Sequence, residues 1–352
     1  MKFLERFHAL PHAIRRTRDV HNLRRHLQIA LELELSTLPP YMCALYSIQD
    51  GSNVEAAGLI RSVLMDEMLH VLLVANVLNA IGGSPKLTGP HVVPSYPTAL
   101  PDSDGSFVVS LQKFSLEAIA TFQRIELPAP ADALPQADHY HTIGQFYEAI
   151  GIALMELSDR GEIEFTHQPE RQVTAADYYN GHGKVIVVNS RESAEHALKE
   201  ICHQGEGLSG NIMEDNHPLD AIGYDLAHYF RFTEIAQGRR YKVGDTPQSG
   251  PTGALFPADW SAVKNMISNP RAGWFAPGDP VRQRMDDCNA VYFLMLGTLE
   301  DALNGRNDKR IADAVPLMLE LKQRATELMN IPSGIADTML GPSFEMPETL
   351  PV

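Results

Sequence analysis

The chain has 352 residues, 44% hydrophobic and 21% charged, with a formal net charge of −15. That composition suits a soluble globular protein with a substantial core, and the acidic balance argues against nucleic acid and anionic membrane as partners. Cys43, Cys202 and Cys288 lie far apart with no CxxC, the opening residues lack a signal-type apolar run, and no uninterrupted apolar stretch reaches membrane-spanning length, which together predict a cytoplasmic protein.

Helical periodicity begins at Asp19, a candidate N-cap, and runs to about Gln49. Leu27, Leu31 and Leu38 form one stripe with Glu34 inside it, whereas Glu32 aligns with Arg25, Gln28 and Ser36 on a solvated face. Glu34 is therefore the inward carboxylate. Pro39-Pro40 predicts a kink or brief break one turn later.

A second helix covers 54–81 and ends at Gly82-Gly83. It is apolar on nearly all sides, as a bundle-interior helix is, yet it carries Glu67 and His70 one turn apart on one face. A carboxylate and an imidazole there are costly unless they satisfy each other or bind a metal. Glu-x-x-His on a bundle helix is the pattern that builds carboxylate-bridged iron or manganese sites. Spacing alone decides little, because the chain holds seven acid-x-x-His pairs, Glu200/His203 and Asp225/His228 among them. The apolar surroundings are what set Glu67/His70 apart.

Residues 83–106, rich in Pro and Gly, form a long ordered loop and a candidate lid. A short helix follows at 115–126, starting at Ser115. The third long helix runs from about Thr142 to Leu157, with Glu148 beside its apolar stripe and Gly144 and Gly151 one turn to either side. Those glycines leave room for a ligand or for close helix packing, and both readings stand. Residues 160–189 suggest a small two-stranded insertion, with Ile163–Thr166 and Lys184–Val188 as its arms.

A fourth helix begins near Asn189, as a capping box with Glu192. Its stripe is Ala194, Ala197, Leu198 and Ile201; Glu200 sits at the edge, with His203 and Glu206 on the far side, so periodicity does not select them as ligands. The fifth helix spans about Leu219–Gln237, where His228 among aromatics reads by itself as a packed or hydrogen-bonded histidine. Residues 240–283 are irregular, helices follow at about 284–303 and 308–329, and the chain closes through Gly341-Pro-Ser-Phe-Glu345.

Leu31-Glu-Leu-Glu-Leu-Ser-Thr-Leu-Pro-Pro-Tyr41, Asp66-Glu-Met-Leu-His70 and Ile81-Gly-Gly-Ser-Pro85 resemble the ferritin-like domain of the iminophenyl-pyruvate dimer synthases. So do Phe146-Tyr-Glu148, Gln204-Gly-Glu-Gly207, His228-Tyr-Phe-Arg-Phe232 and Gly341-Pro-Ser-Phe-Glu345, and the likeness spans about 20–345. That family couples two amino-acid-derived imines on the way to bisindole pigments. The resemblance implies an all-α, ferritin-like bundle at about 18–238 with a C-terminal helical extension at about 239–352, as a single domain. It implies iron as the metal, with manganese as the alternative, in a mononuclear or dinuclear non-haem site. Glu34, Glu67 and His70 match its first ligands, Glu148 and Glu206 its later carboxylates, and His228 its later histidine. His203 stands where an acidic residue is common in the family, so Glu200 and His203 are the secondary candidates.

The chemistry expected is iron-dependent oxidation or coupling of a small amino-acid-derived imine or amine, with dioxygen as a second partner and self-association left open. Iron oxidation and storage is the alternative, as is a non-catalytic helical partner with a vestigial site. The length and decoration of the chain speak against storage, and the intact Glu34, Glu67 and His70 against a vestigial site.

Overall fold

Asp19 caps the first helix as its side chain suggests: its carboxylate accepts from the Asn22 amide at 2.8 Å, and α1 runs over Val20–Ser47. This computed structural model describes residues 19–130, 132–178, 183–205, 212 and 226–347. The remaining helices are α2 (Val54–Ala80), α3 (Leu116–Ile125), α4 (Ile143–Asp159), α5 (Arg191–Gln204), α6 (His228–Gln237), α7 (Pro280–Leu303) and α8 (Val315–Leu328). The protein is mostly helical. Among the described residues α1, α2, α4 and α5 pack in a closed ring, α3 pairs with α6 against α1 and α2, and α7 pairs with α8, with α7 resting on α2 and α8 on α1. Helices α1 and α2 are thus covered from several sides. This explains why α2, long and apolar enough to cross a membrane, has 89% of its most apolar window buried inside the protein. The expectation of no stretch of spanning length gives way to a core helix.

Several sequence expectations change in the structure. Helix α1 continues through Pro39 and Pro40 rather than breaking. Proline at position 40 leaves the Ser36 carbonyl without its usual helical donor, and the Tyr96 hydroxyl fills that place at 2.7 Å. Ser36 itself is buried, not on a solvated face. Helix α5 is capped by Ser190, whose partner three residues on is Ser193, not by Asn189 with Glu192. Leu226 and Ala227 are not helical, so α6 begins at His228 and no helix extends unbroken from Leu219; residues 213–225 lie outside the described part.

The two-stranded insertion is also absent among the described residues. Several backbone groups in the described part of 160–189 are satisfied by side chains of α2 rather than by a ladder. Asn76 donates to the carbonyls of Val173 and Ile186, both at 2.9 Å, and accepts from the Val173 amide at 2.8 Å. Asn79 donates to the Arg171 carbonyl at 2.8 Å. The alternating apolar residues Ile163, Phe165, Val185 and Ile186 pack on the core from a loop.

Candidate metal centre

Five side chains from four elements meet in the interior. Glu34 comes from α1, Glu67 and His70 from α2, Glu126 from the C-cap of α3, and His228 from the first residue of α6. Their exposures are 3%, 2%, 1%, 3% and 0%. They form two groups, Glu34–Glu67–His70 and Glu67–Glu126–His228, each with one ligand atom per residue lying within 4.8 Å of the others. Glu67 belongs to both. The imidazoles of His70 and His228 stack with centroids 5.6 Å apart.

Each carboxylate is held by one oxygen and offers the other. Tyr147 donates to Glu34 Oε1, leaving Oε2 at 3.4 Å from His70 Nδ1. Thr37 donates to Glu67 Oε2 at 2.8 Å, leaving Oε1 at 3.0 Å from His228 Nδ1 and 3.8 Å from His70 Nδ1. Tyr41 donates to Glu126 Oε1, leaving Oε2 at 3.4 Å from His228 Nδ1. The histidines repeat the arrangement. His70 Nε2 meets Gln204 Oε1 at 3.0 Å and His228 Nε2 meets Asp66 Oδ2 at 3.4 Å, so both Nδ1 atoms turn inward. Although close to two carboxylates, the buried His228 Nδ1 makes no hydrogen bond. An orphaned ring nitrogen facing carboxylate oxygens with their own lone pairs free is what a cation site requires. Three carboxylate oxygens and two imidazoles are the donors suited to iron or manganese.

The charges carry the same message. Burial, then Glu126 and Glu34, pushes Glu67 up to about 8, and burial pushes Glu34 up to about 7 despite the Tyr147 hydrogen bond. Burial lowers His70, keeping its imidazole neutral. Burial would lower His228 too, but Glu126 and Asp66 override it and raise that group well above its ordinary value. Burial would raise Asp66, but the Arg231 guanidinium 2.8 Å away holds it well below the usual carboxylate range. Tyr41 and Tyr147 are raised by burial and by the neighbouring carboxylates, so both phenols remain donors. Crowded carboxylates hold protons here that a cation would displace.

Of the residues expected from sequence, Glu34, Glu67, His70 and His228 come together. Glu148 is half-buried on α4 and belongs to neither group, whereas its neighbour Tyr147 reaches the centre. Glu200 accepts from the Lys184 amide and from Gln204, and neither it nor the half-buried His203 belongs to a group. Glu206 lies outside the described residues, as does Asp225, the acid of the Asp225/His228 pair. Glu126 is the ligand candidate that sequence reasoning misses. It sits at the end of a short helix whose periodicity marks only a core-facing stripe of Ala118, Ile119, Phe122 and Ile125. The one local hint is a carboxylate directly following that stripe.

A ferritin-like family model matches residues 27–237. The chain belongs to the ferritin-like family. The likeness to imine-coupling enzymes holds as well. The chain is 27% identical over 363 residues to the 2-imino-3-(indol-3-yl)propanoate dimerase of Chromobacterium violaceum, covering 92% of this chain and 34% of that one. It is 23% identical to the dichlorochromopyrrolate synthase of Lentzea aerocolonigenes, covering 93% of this chain and 36% of that one. It thus spans about a third of the length of these relatives. A crystal structure of a ferritin-like protein from Caulobacter vibrioides shares the fold, with a TM-score of 0.61, 22% identity, and coverage of 92% of this chain and 97% of that one.

Proposed function

We propose that this ferritin-like chain is a cytoplasmic, iron-dependent oxidoreductase that oxidises or couples a small amino-acid-derived imine or amine in secondary metabolism. One observation carries the reading: Glu67 is shared by two buried Glu/His groups whose free oxygens and Nδ1 atoms face one another. Glu34 and His70 would hold one ion, Glu126 and His228 a second, with Glu67 common to both. Iron bound there supplies electron transfer between substrate and dioxygen, the latter being the second partner of the reaction. The chain's own part is positioning. Tyr147, Thr37 and Tyr41 fix which oxygen of each carboxylate faces inward, while Gln204 and Asp66 fix the imidazoles. The near-complete burial of all five side chains keeps bulk water from the centre. The activity for which the Chromobacterium relative is named, dimerisation of an indolyl imino acid, supports the substrate class.

The test is anaerobic Fe(II) loading, metal analysis, and then oxygen uptake with a panel of amino acids and their imino acids. The expected result is about two irons per chain and substrate-dependent uptake. Bulk iron accumulation with no substrate response would replace this reading with storage.

A further inference from the structure

Between the α1–α2 pair and the α7–α8 pair lies a cavity of about 1000 Å³ that the metal centre does not use. Helices α1 and α2 form one wall, α7 and α8 the other. Met65, Met68 and Leu72 line it from the side of α2 turned away from His70, so it is separate from the carboxylate–histidine cluster. The walls are mainly aliphatic, and Met42, Met68, Met295 and Met318 make them adaptable, since an unbranched thioether refills space at low cost. Leu319 lines it while 66% exposed, so the cavity is open to solvent.

Most polar side chains on this lining already hold hydrogen bonds, Gln49, Ser52, Tyr178 and Asn330 among them, and among the described residues Tyr46, Asp50, Arg61, Lys264 and Lys322 are the ones that do not. Arg61, Lys264 and Lys322 all line it, and among the described residues none of the three makes an ion pair. Tyr46 also lines it, and its hydroxyl has no hydrogen-bond partner among the described residues; burial pushes that phenol up to about 12, so it remains a donor. Two of the three acids on the same lining are occupied. Asp177 accepts from the Thr174 amide and hydroxyl at 2.9 and 2.7 Å, and Glu327 accepts from Gln323 at 2.9 Å. Asp50, the third, partly offsets the lowering of Lys264 that burial and Lys322 cause. The donors left over are cations and a phenol, and the space beside them is apolar. A drug-sized cavity with apolar walls and a few convergent polar groups is the usual form of a small-molecule site.

We propose that this cavity binds an apolar monocarboxylate, its body between the two helix pairs and its carboxylate on the neighbouring cations Lys264 and Lys322. The same chemistry describes a fatty acid and an aromatic acid, and the probes separate them. Isothermal titration of the full chain would use dodecanoate, naphthylacetate and, as the neutral control, dodecanol. At least one acid is expected to bind about tenfold more tightly than dodecanol, the difference two partly exposed cations supply. The shape of the better acid names the source. Lys264→Met with Lys322→Met is expected to erase the preference for acid over alcohol. Leu319→Trp, at an exposed position, is expected to block all binding while melting temperature and metal content stay at the wild-type level. Equal affinity for dodecanol and the acids overturns the proposal, as does no acid binding up to millimolar concentration. So does a dimer that Leu319→Trp dissociates, because a second copy of the chain would then be the occupant.

Discussion

Glu67→Gln is expected to abolish metal binding and yet stabilise the metal-free protein at alkaline pH. An unfolded chain releases the Glu67 proton near the ordinary value of 4.5, whereas the folded chain keeps it up to about 8. Between those values the folded state binds more protons, so stability is full below the lower one and falls as pH rises through the window. Each tenfold change in proton affinity is worth about 1.4 kcal/mol, which sets a ceiling of about 5 kcal/mol for Glu67. Glu34 and His228 share protons with it, so the expected share is about 1–3 kcal/mol. Glutamine keeps the shape and an acceptor for Thr37 while burying no charge. Urea denaturation of chelator-treated wild type and variant across about pH 5 to 8.5 reads the difference directly. The two curves are expected to coincide near the acid end and to separate in the variant's favour above about pH 7. A variant equal to or less stable than wild type at the alkaline end would refute the idea that crowding of buried carboxylates strains the empty cluster.

Glu126→Ala is expected to remove about half the iron per chain, while Glu148→Ala leaves iron content unchanged by metal analysis; the reverse order would restore the motif-based assignment. Metal affinity, followed by competition with a chelator, is expected to rise from about pH 6 to 8 and then level off, because Glu34 at about 7 and Glu67 at about 8 must give up protons to bind. Gly183→Ala is expected to cost about 1–3 kcal/mol in stability and to weaken metal retention. At φ +70 its new Cβ would lie 2.3 Å from Leu69 Cδ2 and 2.4 Å from Gln204 Nε2, pushing away the amide that holds His70.

What sequence makes legible here is whatever repeats along a helix. Glu34 declares itself because a carboxylate occupies a leucine stripe, and Glu67/His70 because they interrupt an apolar helix; both are buried in the structure. The helix ends at Asp19 and Thr142 are equally readable, since a cap is a local hydrogen bond. Glu126 has no such pattern. Its place depends on α3 lying against α6 and α1, a tertiary arrangement that leaves no period in the chain. The false strands of 160–189 show the converse. Alternating apolar residues are satisfied there by Asn76 and Asn79, and no local rule distinguishes a loop anchored by two buried amides from a paired strand. Tyr147 and Tyr41 read as ordinary core phenols until their hydroxyls are seen on Glu34 and Glu126.

The orientation of His228 rests on a buried ion pair, and that pair can be removed as a unit. Arg231 is fully buried, donates to Asp66 Oδ2 at 2.8 Å, to the Ser62 hydroxyl at 2.9 Å and to the Leu226 carbonyl at 2.6 Å. Asp66 in turn faces His228 Nε2, while its Oδ1 is buried without a partner. Removing Asp66 alone strands a buried guanidinium, at a cost of about 3–5 kcal/mol, so loss of metal in that variant would say nothing about orientation. Replacing both charges by apolar groups of similar volume is often close to neutral. Asp66→Leu with Arg231→Met is therefore expected to melt within a few degrees of wild type. With no acceptor at Nε2, His228 is free to rotate and to change tautomer, and metal affinity is expected to fall about 10- to 100-fold, the usual effect of deleting a ligand's outer partner. If the double variant melts normally and retains metal as wild type does, the pair serves the packing of α6 on α2 and His228 is held by its carboxylate neighbours instead.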